Sequence, residues 1–233
     1  MNHCFKESLN SIRIKPQIIE VLNSIILQHY LIFIILAKQL PVMLQLPESK
    51  LMLELLKSEL ATELYYHSVD HTLDVYAAAK SLAEYENLPL IDMKLLLVAV
   101  IYHDAGYLNQ RENHEHKSCE IVRSTLPQFD YSSEDIDTIC NIIMATKLPQ
   151  QPLSLSEQII CDADLDYLGR DDFFETGYLL YRELYAAGLI ADTKSWNQLQ
   201  INFLRQHHYF TETAKNLREP KKQDNLKKIL SII

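Results

Sequence analysis

The sequence predicts an all-α protein folded as a helical bundle. From about residue 48 onward apolar residues recur at three- and four-residue spacings, and no stretch alternates polar and apolar residues as a strand does. The 233 residues include only 4 glycines, whereas doubly wound sheets and β-barrels use glycine freely in turns. We expect residues 1–47 to form an N-terminal helical extension and residues 48–233 to form one domain with a single core.

Helical periodicity and helix stop signals define the predicted elements in chain order. The predicted helices are a short helix before Ala61, then residues 65–86, 92–104, 113–126, helices beginning near Ser132 and Ser154, and residues 193–209 and 224–233. The helix over 65–86 ends ahead of Pro89, because a residue before proline disfavours the helical conformation. The stretch MKLLLVAVIYHD is apolar nearly all round, which predicts a central core helix capped by Asp92.

Capping residues refine three of these boundaries. Ser132 has a helix-start pattern, and Ser154 with Glu157 has the spacing of a capping box. Gly169 and Gly188 each follow a helical run, where a left-handed C-terminal cap requires glycine.

The charge balance restricts the partners. Lys and Arg number 22 against 31 Asp and Glu, a net charge of −9, which disfavours binding to a nucleic-acid polymer. The sequence also lacks the Gly-rich phosphate loops GxGxxG and GxxxxGK[ST]. A small phosphorylated substrate therefore needs a local source of positive charge, and a metal ion would supply it.

The cysteines and the N-terminal segment indicate a cytoplasmic protein. Cys4, Cys119, Cys140 and Cys161 form no CxxC pair and follow no secretory signal, so we expect buried free thiols. Residues 21–37 lack Asp, Glu, Lys and Arg, but polar residues interrupt them, and a helix of that length falls short of a ~30 Å bilayer core. We expect a buried helix or a homodimer contact there, with a membrane span as the alternative.

The histidines and three clustered aspartates are the chemically informative residues. Five of the nine histidines fall within residues 67–116, and a second cluster, CDADLD, follows at residues 161–166. His67 and His71 are four residues apart in a predicted helix, which places both imidazoles on one face. The pair His103-Asp104 closes the predicted core helix, where a buried carboxylate needs a partner or a cation.

Two imidazoles and two carboxylates together suit a divalent ion. Each residue alone is commonly structural, but the combination of H-x3-H, HD and D-x-D on three elements predicts a metal site with open positions for water. The ion could be Mn²⁺, Fe²⁺, Co²⁺, Ni²⁺, Zn²⁺ or Mg²⁺.

The order of these residues resembles the H…HD…D motif of the HD-domain superfamily of metal-dependent phosphohydrolases. The matching positions are His71, His103, Asp104 and Asp164, and the resemblance covers about residues 65–147 and the Asp164 region. It implies an HD-type helical bundle in which these four residues hold the metal. It further implies that Asp104 orients the attacking water.

The string YHSVDH at residues 66–71 resembles the YHNxxH opening of cyclic-nucleotide phosphodiesterase relatives. That resemblance implies that His71 binds the metal and that His67 is the general acid that protonates the leaving oxygen. Ser68 stands where those relatives have asparagine.

The resemblance also ranks the other candidate metal ligands. Ala163-Asp164-Leu165 matches the register of the relatives, so Asp164 is preferred as ligand and Asp162 is assigned a supporting role. The segment NHEHKS resembles one that holds a second ion in two-metal members and offers His114, or with less support His116. The partner histidine is replaced by Met144-Ala145-Thr146-Lys147, so we expect one tightly bound ion, with Lys147 as a candidate phosphate contact.

The resulting functional hypothesis is hydrolysis of a phosphate ester, with a nucleotide or cyclic nucleotide as the substrate class that the resemblance implies. Two alternatives stay open: a non-catalytic nucleotide-sensing HD protein, and an HD-type di-iron oxygenase. The oxygenase requires a complete second metal site. The C-terminal strings HHYFT and LREPKK fit either nucleotide binding or helix packing.

Overall fold

A computed structural model describes residues 40–232 and the side chains from residue 43 onward. Nine α-helices and no strand occur within that range, which confirms the all-α prediction. The α-helices are α1 Pro47–Glu59, α2 Val69–Tyr85, α3 Leu90–Tyr102, α4 His114–Thr125, α5 Ser133–Ala145, α6 Leu155–Asp164, α7 Phe173–Ala186, α8 Thr193–Gln206 and α9 Glu212–Leu230. The 3-10 helices are Leu40–Gln45, Ala105–Leu108, Leu126–Phe129 and Asp166–Gly169.

The N-terminal predictions fall largely beyond these residues. The stretch 21–37, Cys4 and all but the last residues of the expected helical extension lie outside the described part of the chain. The domain boundary at residue 47 therefore stays a prediction. Among residues 40–232, no helix is both long enough and apolar enough to cross a lipid bilayer.

Helix α3 is the central core element, as predicted. Every residue from Leu95 to Tyr102 is buried, and α3 packs against α1, α2, α5 and α6. The helix begins at Leu90 after Pro89, so Asp92 lies in its first turn and is not the cap. Because the helix runs through the interior, its C-terminal end carries His103 and Asp104 into the protein, where both are buried.

The predicted start of α2 is wrong. The sequence placed residues 65–86 in one helix, but α2 begins at Val69, with Ser68 in an extended conformation as its N-cap. The Ser68 hydroxyl accepts a hydrogen bond from the His71 backbone N–H, which stabilises the helix start at that point. His67 therefore lies in the preceding loop and does not share a helical face with His71.

Local capping chemistry also differs in detail from the prediction. The reciprocal capping box forms between Ser132 and Asp135. At the other site Ser154 caps α6, while the Glu157 carboxylate accepts from the Leu153 N–H. Both helix starts are confirmed.

The two glycines have different roles. Gly188 has φ +70° and follows α7 as a left-handed cap, as predicted. Gly169 instead ends a 3-10 helix, and a Cβ there would lie 2.4 Å from the Arg218 carbonyl oxygen of α9. Glycine at this position permits close packing of two backbone segments.

The C-terminal region is anchored to the core through Asp162. Its fully buried carboxylate accepts hydrogen bonds of 2.7 Å from the backbone N–H groups of Phe210 and Thr211 and from the Thr211 hydroxyl. Thr211 also caps α9, which begins at Glu212 and continues through Pro220, well before the predicted start at Asp224. The HHYFT string therefore serves helix packing here.

The described cysteines agree with the prediction. Cys119, Cys140 and Cys161 are buried free thiols.

We predict that Asp162→Asn detaches the start of α9. In the wild type the Asp162 carboxylate accepts from three donors of Phe210 and Thr211, whereas the asparagine amide would turn its own N–H group toward some of them. A buried donor left unpaired costs roughly 1–3 kcal/mol. Urea unfolding at pH 8 should show a corresponding decrease in the free energy of unfolding. Asp171→Asn is the matched control, since Asp171 is an exposed carboxylate paired with Lys221. Equal stability of both variants would contradict the anchoring role.

Candidate metal centre

Four of the predicted ligands come together where α2, the end of α3 and the end of α6 meet. One ligand atom each from His71, His103 and Asp104 lies within 4.8 Å of the others, and all three residues are buried. Asp164, the last residue of α6, joins them with Oδ1 3.1 Å from His71 Nε2 and 3.6 Å from His103 Nε2. The Asp104 Oδ2 atom lies 3.2 Å from His103 Nε2 and 3.5 Å from His71 Nε2.

The hydrogen bonding of two atoms in this cluster indicates whether a metal ion fits there. Within the described residues, His103 Nε2 and Asp104 Oδ2 are buried and, although they lie 3.2 Å apart, neither makes a hydrogen bond of acceptable geometry. The other ring nitrogen, His103 Nδ1, donates to the Val100 carbonyl oxygen at 2.7 Å, which directs Nε2 into the cluster. Two imidazole nitrogens and two carboxylate oxygens suit a divalent ion, and a cation would satisfy both orphaned atoms. The residues present therefore fit a divalent metal ion.

Electrostatics in the cluster follow from burial and proximity. Burial raises the pKa of Asp104, but the neighbouring His103 and His114 imidazoles outweigh burial and hold that pKa well below its ordinary range. Burial likewise lowers the pKa of His103, while Asp104 and then Asp164 raise it well above the usual value. Burial also raises the pKa of Asp164, but the His103 and His71 imidazoles hold that pKa well below its ordinary range. Both carboxyl groups thus favour their ionised form, which is the form that binds cations.

His114 faces the opposite side of Asp104. Its Nε2 lies 3.4 Å from Asp104 Oδ1, and its Nδ1 lies 3.1 Å from the Arg111 carbonyl oxygen. Asp104 therefore stands between the metal cluster and His114. Thr146 lines the same cavity as His114, and its hydroxyl donates to the Ile143 carbonyl at 2.8 Å. Thr146 belongs to the segment in which the resemblance to two-metal relatives would require a second histidine.

Of the remaining predicted site residues, Lys147 lies at the cavity, whereas Asp162 and His116 do not. Lys147 lines the same cavity as the cluster, and its Nζ donates to Asn113 Oδ1 at 2.9 Å. Asp162 is not brought to the cluster, because its carboxylate is used on Phe210 and Thr211. His116 is exposed and lines a different pocket beside Cys119. A role for Asp162 or His116 at the site finds no support in this geometry.

Glu183 is a functional candidate that the sequence analysis missed. It lies in α7, is 1% exposed, and accepts hydrogen bonds from the backbone N–H groups of Tyr66 and His67 at 3.0 Å. Its Oε1 accepts from His67 Nδ1 at 2.6 Å and from Arg111 Nη1 at 2.8 Å. The carboxylate thus orients His67 so that Nε2 faces the cavity. No local signal marked Glu183, because its partners are distant along the chain.

Tyr107 and Arg111 complete the surroundings of His67. The Tyr107 ring stacks on the His67 ring with centroids 4.2 Å apart, and its hydroxyl lies 3.1 Å from His67 Nε2. The guanidinium group of Arg111 lies 5.7 Å from the centroid of the Tyr107 ring. These contacts fix the imidazole between an aromatic ring and a carboxylate.

One cavity of about 510 Å³ connects these groups. Its polar lining includes Asp104, Asp164, His67, Arg111 and Lys147. Helices α7 and α8 contribute further lining residues. A volume of this size accommodates a small organic ligand.

The chain resembles known proteins in both sequence and fold. The family model described as HD domain matches residues 68–166. The crystal structure of a predicted HD superfamily hydrolase from an uncultured Thermotogales bacterium superposes with a TM-score of 0.55 and 17% sequence identity, covering 80% of this chain and 91% of that chain. No curated protein matches the sequence significantly. The structural likeness concerns the fold, and the family match includes His71, His103, Asp104 and Asp164.

We predict a charge-dependent contribution of Glu183 to stability. Burial raises its pKa, but the His67 and Arg111 hydrogen bonds lower it from 4.5 to about 2. A depressed carboxyl pKa stabilises the fold above pH 4.5, and this stabilisation, up to about 2 kcal/mol after solvent screening, is lost as the pH falls from 4.5 through 2. In EDTA, urea unfolding should show that Glu183→Gln is destabilised at pH 7 and that its difference from wild type shrinks over this interval.

The control is Glu175→Gln, an exposed glutamate of the same helix. It should reproduce the wild-type pH dependence. If the free energy of unfolding of Glu183→Gln stayed below that of wild type by the same amount from pH 7 to pH 2, the ionised form of Glu183 would make no specific contribution to stability.

Proposed function

The chain belongs to the HD-domain superfamily, and we propose that it is a hydrolase that cleaves phosphate esters with the help of a divalent metal ion. The observation that carries this proposal is the buried cluster of His71, His103, Asp104 and Asp164, with its two orphaned ligand atoms, at the base of a cavity lined by cationic side chains. The same four positions are those that the H…HD…D resemblance indicates.

The four cluster residues would hold the ion. When bound there, it would supply Lewis acidity and an activated water, the chemistry that phosphate-ester hydrolysis requires. Asp104 presents one oxygen to His71 and His103 and the other to His114. This arrangement supports the proposal that Asp104 orients a water by hydrogen bonding. We expect a single tightly bound ion, since Thr146 stands where a second histidine would be needed.

Positive charge for the substrate comes from outside the cluster. Arg111 and Lys147 both line the cavity, in a protein whose net charge is −9. Arg111 is ion-paired with Glu183 through one nitrogen, and a planar guanidinium has further donors for phosphate oxygens. These two side chains would bind and orient the phosphoryl group.

His67 is the proposed general acid. Its Nδ1–H donates to Glu183, so a protonated imidazole has its second proton on Nε2, toward the cavity. Transfer of that proton to the leaving oxygen leaves a neutral Nε2, which can then accept from the Tyr107 hydroxyl 3.1 Å away. The carboxylate and the hydroxyl would thereby stabilise both protonation states in one orientation.

We predict that Asp104→Ala removes most of the bound metal. The change deletes the carboxylate that reaches both sides of the cluster, and affinity for Mn²⁺ should fall by roughly 100-fold or more in calorimetric titration. Asp70→Ala is the control, because Asp70 is an exposed carboxylate one residue from His71. Wild-type metal content in dialysed Asp104→Ala would refute the assignment of this ligand.

A second prediction separates catalysis from metal binding. His67→Ala should keep its metal yet lose roughly 10²–10⁴-fold in turnover, the range for a positioned general acid. The loss should be smaller for p-nitrophenyl phosphate than for an alkyl phosphate, because p-nitrophenolate needs little protonation. Equal losses on both substrates would indicate a binding role, and loss of the metal would make His67 a ligand.

A further inference from the structure

The lining of the cavity beside the metal cluster contains two chemically different groups of residues. One group consists of His67, Tyr107, Arg111 and Lys147, which are polar or cationic. The other group is contributed by α7 and α8 and includes Phe173, Leu180, Leu184, Trp196, Leu199 and Phe203. We call these six residues the apolar wall. Gln200 is the polar side chain that these two helices add to the lining.

The apolar wall is fixed in position relative to the cluster. Glu183, on α7 between two wall residues, binds the backbone and side chain of His67. The wall lies at residues 173–203, beyond the HD match at 68–166. The HD segment therefore supplies the predicted metal ligands, while α7 and α8 determine which part of a substrate can lie beside them.

A nucleoside fits the part of the lining contributed by α7 and α8 poorly. Its sugar hydroxyls and base edge carry several hydrogen-bonding groups, and Gln200 offers one amide among the side chains of α7 and α8. Each polar group buried without a partner lowers affinity by roughly 5- to 100-fold. An alkyl or aryl group instead gains affinity by covering wall residues that are accessible now, such as Leu199 at 43% exposure.

We propose that the substrate is a phosphate monoester of a large apolar alcohol, with the phosphate at the metal cluster and the apolar group against the wall. This rests on the proposed phosphate-ester hydrolysis and specifies its substrate class. The cavity volume of about 510 Å³ holds both parts of such a molecule.

The first test compares substrates whose leaving groups are all primary alcohols. Ethyl, butyl, hexyl and octyl phosphate and adenosine 5′-monophosphate are assayed with the Mn²⁺-loaded protein. We expect kcat/KM to rise roughly three- to fourfold per methylene until the wall is filled. Octyl phosphate should also surpass the nucleotide. Rates independent of chain length, or a better nucleotide, would overturn this proposal alone, whereas no hydrolysis of any phosphate ester would overturn the proposed function with it.

Binding of a ligand to the apolar wall can be measured without an activity assay. Trp196 is the single tryptophan of the chain and belongs to the wall, so its fluorescence reports occupancy. With Mg²⁺ present, octylphosphonate should shift the emission at concentrations where ethylphosphonate does not. Identical responses to the two phosphonates would contradict an apolar subsite, whatever the activity.

A matched pair of variants localises the effect. Leu199→Asn changes an accessible wall residue and should lower the octyl-to-ethyl ratio of kcat/KM by roughly tenfold. Leu189→Asn changes an exposed leucine between α7 and α8 that is not part of the wall, and it should keep the wild-type ratio. Circular dichroism confirms folding of both variants. An unchanged ratio in Leu199→Asn would count against the wall as the specificity element.

Discussion

The burial of Asp104 is the constraint on which the site depends. An ionised carboxylate in a protein interior requires partners, and here the nearest charged or polar groups are His71 on α2, His103 beside it and His114 on α4. These partners come from three different helices, so the helices must meet at one point. A divalent ion would satisfy the atoms that protein groups leave without hydrogen bonds, so metal binding there would be coupled to folding.

Glu183 extends this arrangement to the C-terminal helices. Four donors converge on its buried carboxylate, two from the backbone before α2 and one each from His67 and Arg111. A group satisfied in this way holds α7 against the loop that carries the proposed acid. Asp162 has the corresponding role for α9, through the backbone at Phe210 and Thr211. Two buried carboxylates thus anchor the C-terminal helices α7 and α9 to the rest of the fold.

The sequence predicted local features well where the signal was local. The core helix, the cap at Ser132 and the left-handed Gly188 depend on residues within one or two helical turns, and all three are present. The prediction that His67 lies on a helix failed because Ser68 caps α2, which begins at Val69, four residues after the predicted start at residue 65. Periodicity alone does not distinguish a helical turn from the loop that precedes its cap.

The sequence by itself determined the helical class, the order H…HD…D and the residue types able to bind a divalent ion, because these are properties of composition, spacing and motif. Only the tertiary structure decided that Asp162 anchors α9, which residue orients His67 and which apolar residues line the cavity. Glu183 meets His67 across 116 positions of the chain, and no periodicity spans that separation. Such contacts arise from packing of whole helices, which fixes side chains that local sequence cannot bring together.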